Sequence, residues 1–261
     1  MSDSVHVAIE DGLATLCLAQ AKRGNPFDSE FILGMKRACL MLGDADGLRA
    51  ILIRAEGPNF SVGGDLKTFY PIRAELPPLV RSWTADLHAG LQRLWQLPVP
   101  IVAAVQGFAM GGGVALFAGA DVVLAGESAR IGSAFAQIGF SCDSGTSAVL
   151  TARMGMARAR RFVLLAEMLT SQEALACGLV DRVVPDAALA TDAHAVARGF
   201  ASGPTLAYGG IKALFHRAGA AHMEAQLELE AQTLARVSRS GDAQEGIAAL
   251  VEKRKPAFVG R

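Results

Sequence analysis

Three consecutive glycines, Gly111, Gly112 and Gly113, stand in QGFAMGGGVAL, between an apolar run of strand length and an apolar run of helical length. Glycine lets a ligand approach the main chain closely and permits positive φ. The first N–H groups of a helix have no partner inside it and lie at the positive end of its dipole, ready to receive an anion. A second glycine turn, Gly63-Gly64 in NFSVGGDLK, follows another buried-strand pattern and precedes Asp65. Each turn alone also suits a plainer role: close strand–helix packing for the first, and an ordinary turn with Asp65 capping a short helix for the second. Two such turns after two buried strands favour a joint anion site, because an oxyanion hole needs donors converging from different segments. The triple-glycine turn is not a dinucleotide fingerprint, since the G-x-G-x-x-G order is absent, nor a phosphate loop, since no Gly-Lys-Ser/Thr follows.

Five other side chains could do or flank chemistry. Asp143, in GFSCDSGTSAVL, is a carboxylate for proton transfer or attack, and Asp-Ser-Gly-Thr before AVLTARM equally fits a helix N-cap. His88 lies beside the apolar face of its helix, where many histidines only fill space and make one hydrogen bond. Phe135 and Phe140 suit either the wall of an apolar pocket or plain core. Cys142 adjoins Asp143, but no base is visibly paired with it, so it is not read as a nucleophile.

The elements that must position these residues alternate along the chain. Val5 to Leu18 carries two short alternating runs around Asp11-Gly12, a hairpin signature. Phe27 to Leu42 has helical spacing, with Asp28-Ser29 as its cap. Arg49 to Ala55, Ile101 to Val105 and Asp121 to Ala125 are short apolar runs that suit strands buried on both faces. Pro77 to Leu97 is an amphipathic helix ended by Pro98 and Pro100. From Thr146 the pattern turns helical: through Met154, then Ala157 to Leu169, then Ser171 to Cys177 with Gly178 as a stop. Val180 to Val184 is a short strand closed by Pro185. Met223 to Val237 and Asp242 to Lys253 are strongly helical. Strand-then-helix units imply an α/β fold, with residues 1–200 as its core and residues 201–261 as a helical region that packs on something, often another subunit.

Composition narrows the class of function. The 261 residues hold 25 Lys+Arg and 25 Asp+Glu, so no basic surplus marks a nucleic-acid partner. The four cysteines have no metal-ligand spacing, and an intracellular, cytoplasmic protein with reduced thiols fits best. The start of the chain carries no secretory signal pattern. Val99 to Val123 is long enough to span a bilayer and nearly free of charge. Its five glycines, with Gln106 and Asp121 inside it, read instead as strand, glycine turn, helix and strand.

The ordered stretches FSVGGDLK, VQGFAMGGGVAL, ADVVLAGESARIG, ALACGLVDRVVP and EGIAALVEKRKPAFVG resemble the crotonase superfamily of enoyl-CoA hydratases and isomerases, from about Val5 to Gly260. The resemblance implies a spiral of ββα turns and a helical C-terminal region used for trimerisation, often as a dimer of trimers. It implies an acyl-CoA thioester as the substrate, with no metal and no redox cofactor. The backbone N–H groups of Gly64 and Gly112 would hold the thioester oxygen as it becomes an enolate. Coenzyme A, as part of the substrate, would lie along Lys22-Arg23 and the stretch Ser61, Val62, Gly63, Asp65 and Leu66, with Gly111 beside it. Lys253, Arg254 and Lys255 would serve its phosphates or stand as solvated surface.

The departures from the family bear on the reaction. Hydratases of this family carry two glutamates, at positions that here are Ala115 and Phe135, and neither residue can activate water or move a proton. Asp143 matches the proton-moving aspartate of the ring-epoxide isomerases of phenylacetate breakdown. It also matches the nucleophilic aspartate of 4-chlorobenzoyl-CoA dehalogenase, in which a functional histidine falls at His88. That dehalogenase has tryptophan at Phe135, which weakens the second match. The expectation is an enoyl-CoA isomerase in which Asp143 shuttles one proton. A dehalogenase or thioester hydrolase, a residual hydratase and a non-catalytic acyl-CoA-binding protein are the alternatives.

Overall fold

The computed structural model describes residues 4–72, 75–218, 240–242, 245, 249, 252 and 254–261. The chain opens with strands β1 (Val5–Glu10) and β2 (Leu13–Leu18), an antiparallel hairpin whose turn puts Asp11 at φ 48 and Gly12 at φ 77. Two successive positive φ values match the right-handed twist of the strands. Helix α1 (Ser29–Gly43) follows, and Asp28 caps it by accepting the Phe31 N–H at 2.8 Å. Next come β3 (Ala50–Ala55), the short α2 (Leu66–Phe69), the long α3 (Leu76–Gln96), β4 (Ile101–Val105), β5 (Phe108–Met110), α4 (Gly112–Ala118) and β6 (Val122–Gly126). The stretch from Val99 to Val123 therefore folds as strand, turn, helix and strand, and no described helix is long and apolar enough to cross a membrane.

The remainder comprises β7 (Arg130–Gly132), α5 (Thr146–Met154), α6 (Met156–Leu164), β8 (Met168–Thr170), α7 (Ser171–Ala176), β9 (Arg182–Val184), α8 (Leu189–Ala201) and α9 (Thr205–Ala218). The expected single helix from Ala157 to Leu169 is corrected here. It stops after Leu164, because Ala166 adopts φ 48 and Glu167 folds back to pair with Arg158 at 2.6 Å and Arg161 at 2.8 Å. Met168 to Thr170 then pairs antiparallel with β7. The helix expected over Met223 to Val237 lies outside the described residues, as does Lys253. The described residues within Asp242 to Lys253 are helical.

The larger sheet has the order β1-β2-β3-β4-β6-β9, parallel from β2 onward, and β5, β7 and β8 form a second, smaller sheet. Alternation along the central strands feeds two cores. Ile51, Ile53, Ile101, Ala103, Val105, Val123 and Ala125 face the helices α1, α3 and α4. Ala50, Leu52, Val102, Ala104 and Leu124 face α8 through Leu189, Ala193 and Ala197. Burial on both faces is why these strands read as continuous apolar runs rather than alternating ones. The site lies where the second sheet and α3 meet the ends of β3 and β4.

Candidate active site

The two glycine turns are bonded to each other. Ser61 pairs with Ala109 as a parallel bridge: the Ser61 N–H donates to Phe108 O at 3.0 Å, and the Met110 N–H donates to Ser61 O at 2.9 Å. A third segment joins through a bridge between Phe27 and Gly64, in which the Phe27 N–H donates to Gly63 O at 2.8 Å. Gly63 takes φ 79, and a Cβ on it would come within 3.1 Å of Met110 O, so a side chain there is excluded by strain and by space. Gly111 takes φ 52 and donates its N–H to Gly132 O, which ties the triple glycine to the second sheet.

Gly63, Gly64, Gly111 and Gly112 all line one cavity of about 560 Å³. The N–H groups of Gly64 and Gly112 donate to no acceptor among the described residues, whereas those of Gly63 and Gly111 are engaged. Gly64 and Gly112 are also the two glycines that the family resemblance names as donors. Gly112 opens α4, so its N–H is also one of the unpaired groups at the helix start.

The cavity wall is mostly apolar, and Asp143 is its only ionisable side chain among the described residues. Burial pushes the Asp143 carboxyl above its ordinary range, with the Ser144 hydroxyl and the nearby His88 pulling the other way. The N-cap alternative for Asp143 is corrected. Helix α5 starts at Thr146, its cap residue is Gly145, and no side chain caps it. The Asp143 side chain instead accepts from Ser144 Oγ at 3.1 Å, while its main-chain carbonyl accepts from the Thr146 N–H at 2.9 Å and Thr146 Oγ1 at 2.6 Å. The carboxylate is therefore left to the cavity.

His88 does not line the cavity. It is exposed on α3, and its Nε2 accepts the Ser144 N–H at 3.0 Å. That nitrogen is occupied, so the geometry gives His88 the work of holding the Asp143 turn rather than touching substrate. Ser61 is corrected as a ligand contact: it is fully buried, donating to Asn25 O at 2.8 Å and accepting from the Gly63 N–H at 3.2 Å. Asp65 takes the plainer of its two readings. It caps α2, accepting from the Lys67 and Thr68 N–H groups and from Thr68 Oγ1 at 2.6 Å, and it pairs with Arg23. Burial works against ionisation of Asp65, but the hydrogen bonds from Thr68 and Arg23 prevail and hold its carboxyl below the ordinary range. The Arg23 guanidinium spans Asp65 and Asp28, the latter at 2.7 Å. Lys22 is exposed. Arg254 pairs with Glu245 at 2.6 Å and with Glu252 at 2.5 Å.

Val62, Leu66, Phe135 and Phe140 line the cavity, as a pocket-wall reading requires. Ala115 does not; it is buried inside α4, so any role in walling off water falls to Phe135. Sequence reasoning missed Phe27, Ile32, Phe69, Val80 and Trp83 as cavity residues and Ser144 as the hinge of the Asp143 turn. The apolar stripe of α3 was visible, but half of it faces this cavity rather than the core.

The half-buried Asp143 carboxyl and the Gly64 and Gly112 N–H groups line one cavity in an α/β fold, an arrangement with the parts to hold an oxyanion and move a proton. The chain belongs to the enoyl-CoA hydratase/isomerase family, whose model matches residues 8–261. It is 33% identical over 255 residues to the 1,2-epoxyphenylacetyl-CoA isomerase of Escherichia coli (strain K12), covering 97% of both chains. It is 30% identical over 266 residues to the carnitinyl-CoA dehydratase of Proteus mirabilis, covering 100% of both. An enoyl-CoA hydratase/isomerase structure from Mycobacterium abscessus superposes with a TM-score of 0.92 at 33% identity, covering 98% of this chain and 100% of that one. The fold is the crotonase fold, and the family acts on acyl-CoA thioesters.

Proposed function

We propose that this protein is an enoyl-CoA isomerase. One observation carries the reading: among the described residues, Asp143 is the single ionisable side chain lining the cavity. In the proposed cycle the thioester carbonyl seats between the N–H groups of Gly64 and Gly112. The Asp143 carboxylate takes a proton from the α- or γ-carbon. The electron pair of that C–H bond moves onto the thioester oxygen, giving an enolate that the two donors stabilise. Asp143 then returns the same proton at another carbon, and the double bond has moved. Proton and electron balance close on Asp143 itself, so the reading assigns no cofactor. Hydration would need a second group to activate water, and Ala115 and Phe135 supply none.

Coenzyme A would run from the glycine turns past Val62 and Leu66 toward Lys22, with the whole acting as a homotrimer or a dimer of trimers. The test is incubation with 2-enoyl-, 3-enoyl- and aryl-CoA thioesters in deuterated water, beside Asp143→Asn. Double-bond movement or deuterium uptake that the variant loses by about 10²–10⁴-fold, the usual range for a positioned acid–base group, is the expected result. Full turnover by Asp143→Asn would sink the reading. An ester trapped on Asp143 would replace it with nucleophilic attack.

A further inference from the structure

Ser144 directly follows the proposed base, and its side chain meets both halves of the site. It is 1% exposed, and its Oγ donates to Asp143 Oδ1 at 3.1 Å. Among the described residues, no other side chain donates to the Asp143 carboxylate. The same Oγ stands 3.3 Å from where a Cβ on Gly112 would be, so the hydroxyl also packs against the α-carbon of the donor turn. The position is a strained one for serine. Ser144 takes φ 54 beside Gly145 at φ 74, a region that non-glycine residues rarely adopt and in which they lose energy. Glycine would hold this backbone more easily, and the hydroxyl is what glycine lacks.

We infer that Ser144 is a positioning residue: its hydroxyl commits Asp143 Oδ1, so that Oδ2 carries the proton, and it spaces the carboxylate from the Gly112 donor. This deepens the isomerase reading and rests on Asp143 as the proton carrier. A carboxylate without such a partner turns easily about its last side-chain bond, a torsion with broad wells. The hydrogen bond stops that rotation and keeps one oxygen aimed at the reacting carbon, where small misplacements are costly. An O–H donor also bonds a carboxylate more strongly than a neutral carboxyl. Burial pushes the Asp143 carboxyl up, and the Ser144 hydrogen bond pulls it down, so the hydroxyl keeps the base ionised more of the time and eases return of the proton.

The experiment compares Ser144→Gly and Ser144→Ala with wild type. Both variants remove the hydroxyl, but only glycine relaxes the backbone. Carbon-13 NMR follows the Asp143 carboxyl, identified as the resonance missing from Asp143→Asn, through a pH titration without substrate. Its midpoint should rise in both variants, because the donor that favours the ionised form is gone. In turnover, kcat should fall roughly 10–100-fold in both, as for a misplaced reacting group, with KM within a factor of two or so. The acid limb of kcat/KM should move to higher pH with the NMR midpoint, a change that a merely structural serine would not produce. A midpoint unmoved in both variants, or wild-type kcat in Ser144→Gly, would overturn the inference. So would a loss in Ser144→Ala that Ser144→Gly does not share, since that assigns the effect to the backbone. The titration needs no turnover, so its outcome is separate from the isomerase reading, which fails if the wild type moves no double bond and exchanges no proton.

Discussion

His88 Nε2 accepts the main-chain N–H of Ser144 at 3.0 Å. Ser144 needs such a hold. It adopts φ 54, a conformation that non-glycine residues rarely take, between Asp143 and Gly145 at φ 74. The hydrogen bond from α3 therefore fixes the one turn that aims the carboxylate. His88→Ala should lower kcat by about 10-fold, the effect of a small misplacement of a reacting group, while KM stays within a factor of two or so. His88→Gln, which keeps an acceptor, should recover most of the rate. Equal kcat in His88→Ala and the wild type would remove His88 from the mechanism.

Asp143 should reveal its burial in two pH profiles. As the base, it works when ionised, so kcat/KM should fall on the acid side around a pKa above the ordinary carboxylate range. For stability the sign is the reverse of a salt-bridged carboxylate. A raised folded-state pKa means that ionised Asp143 destabilises the fold above that pKa, and the penalty vanishes below the unfolded-state value. Asp143→Asn should therefore raise the melting temperature at neutral pH, with the gain shrinking as pH drops through the raised pKa. A variant less stable than wild type at pH 7 would contradict this.

Much of this site could be read before any fold was known, because it is built from main chain. Glycines advertise where backbone must approach something, so the two glycine turns were legible from their neighbours, while the choice of Gly64 and Gly112 within them came from the family resemblance. The strands buried on both faces, such as Ile101 to Val105, were legible too. What stayed hidden was direction. Phe69, Val80 and Trp83 carry ordinary apolar spacing, and nothing in it tells a cavity wall from a core face. The capping geometry at Asp143 was hidden for a related reason. Asp-Ser-Gly-Thr serves both a side-chain cap and a turn that spends only the carbonyl of the aspartate, and the hydrogen bond that Ser144 donates to His88, 56 positions away, comes with the second. The strand β8 was lost because Glu167 is drawn to two arginines of the helix before it, a contact that no periodicity reports.

Gly112→Ala tests the donor pair directly. A Cβ at this position would stand 2.7 Å from the Phe27 ring and 3.3 Å from Ser144 Oγ. The chain must shift to relieve that contact, and the N–H moves with it. Turnover should drop by about 10²–10³-fold, the usual cost of losing one oxyanion donor. Because Phe27 is buried, relieving that overlap should also lower the melting temperature, so kcat is compared on folded protein. A variant with normal kcat would show that this N–H is not a donor in the reaction.

Asp65→Ala should loosen the α2 side of the cavity. Asp65 caps α2 by accepting from Lys67, Thr68 and Arg23, and α2 carries Leu66 and Phe69 into the lining. Losing an N-cap costs about 1 kcal/mol. Asp65→Asn keeps the amide-facing oxygen but loses the charge that Arg23 pairs with, so it should sit between alanine and wild type. Because the folded-state pKa of Asp65 is lowered, its contribution is present at neutral pH and fades as pH falls through the ordinary carboxylate range and below. The difference in melting temperature between wild type and Asp65→Asn should shrink over that window. In kinetics the expected mark is a higher KM for acyl-CoA with kcat nearly kept, since α2 shapes the binding wall and not the proton path. A fall in kcat at constant KM would instead place α2 within the reacting geometry.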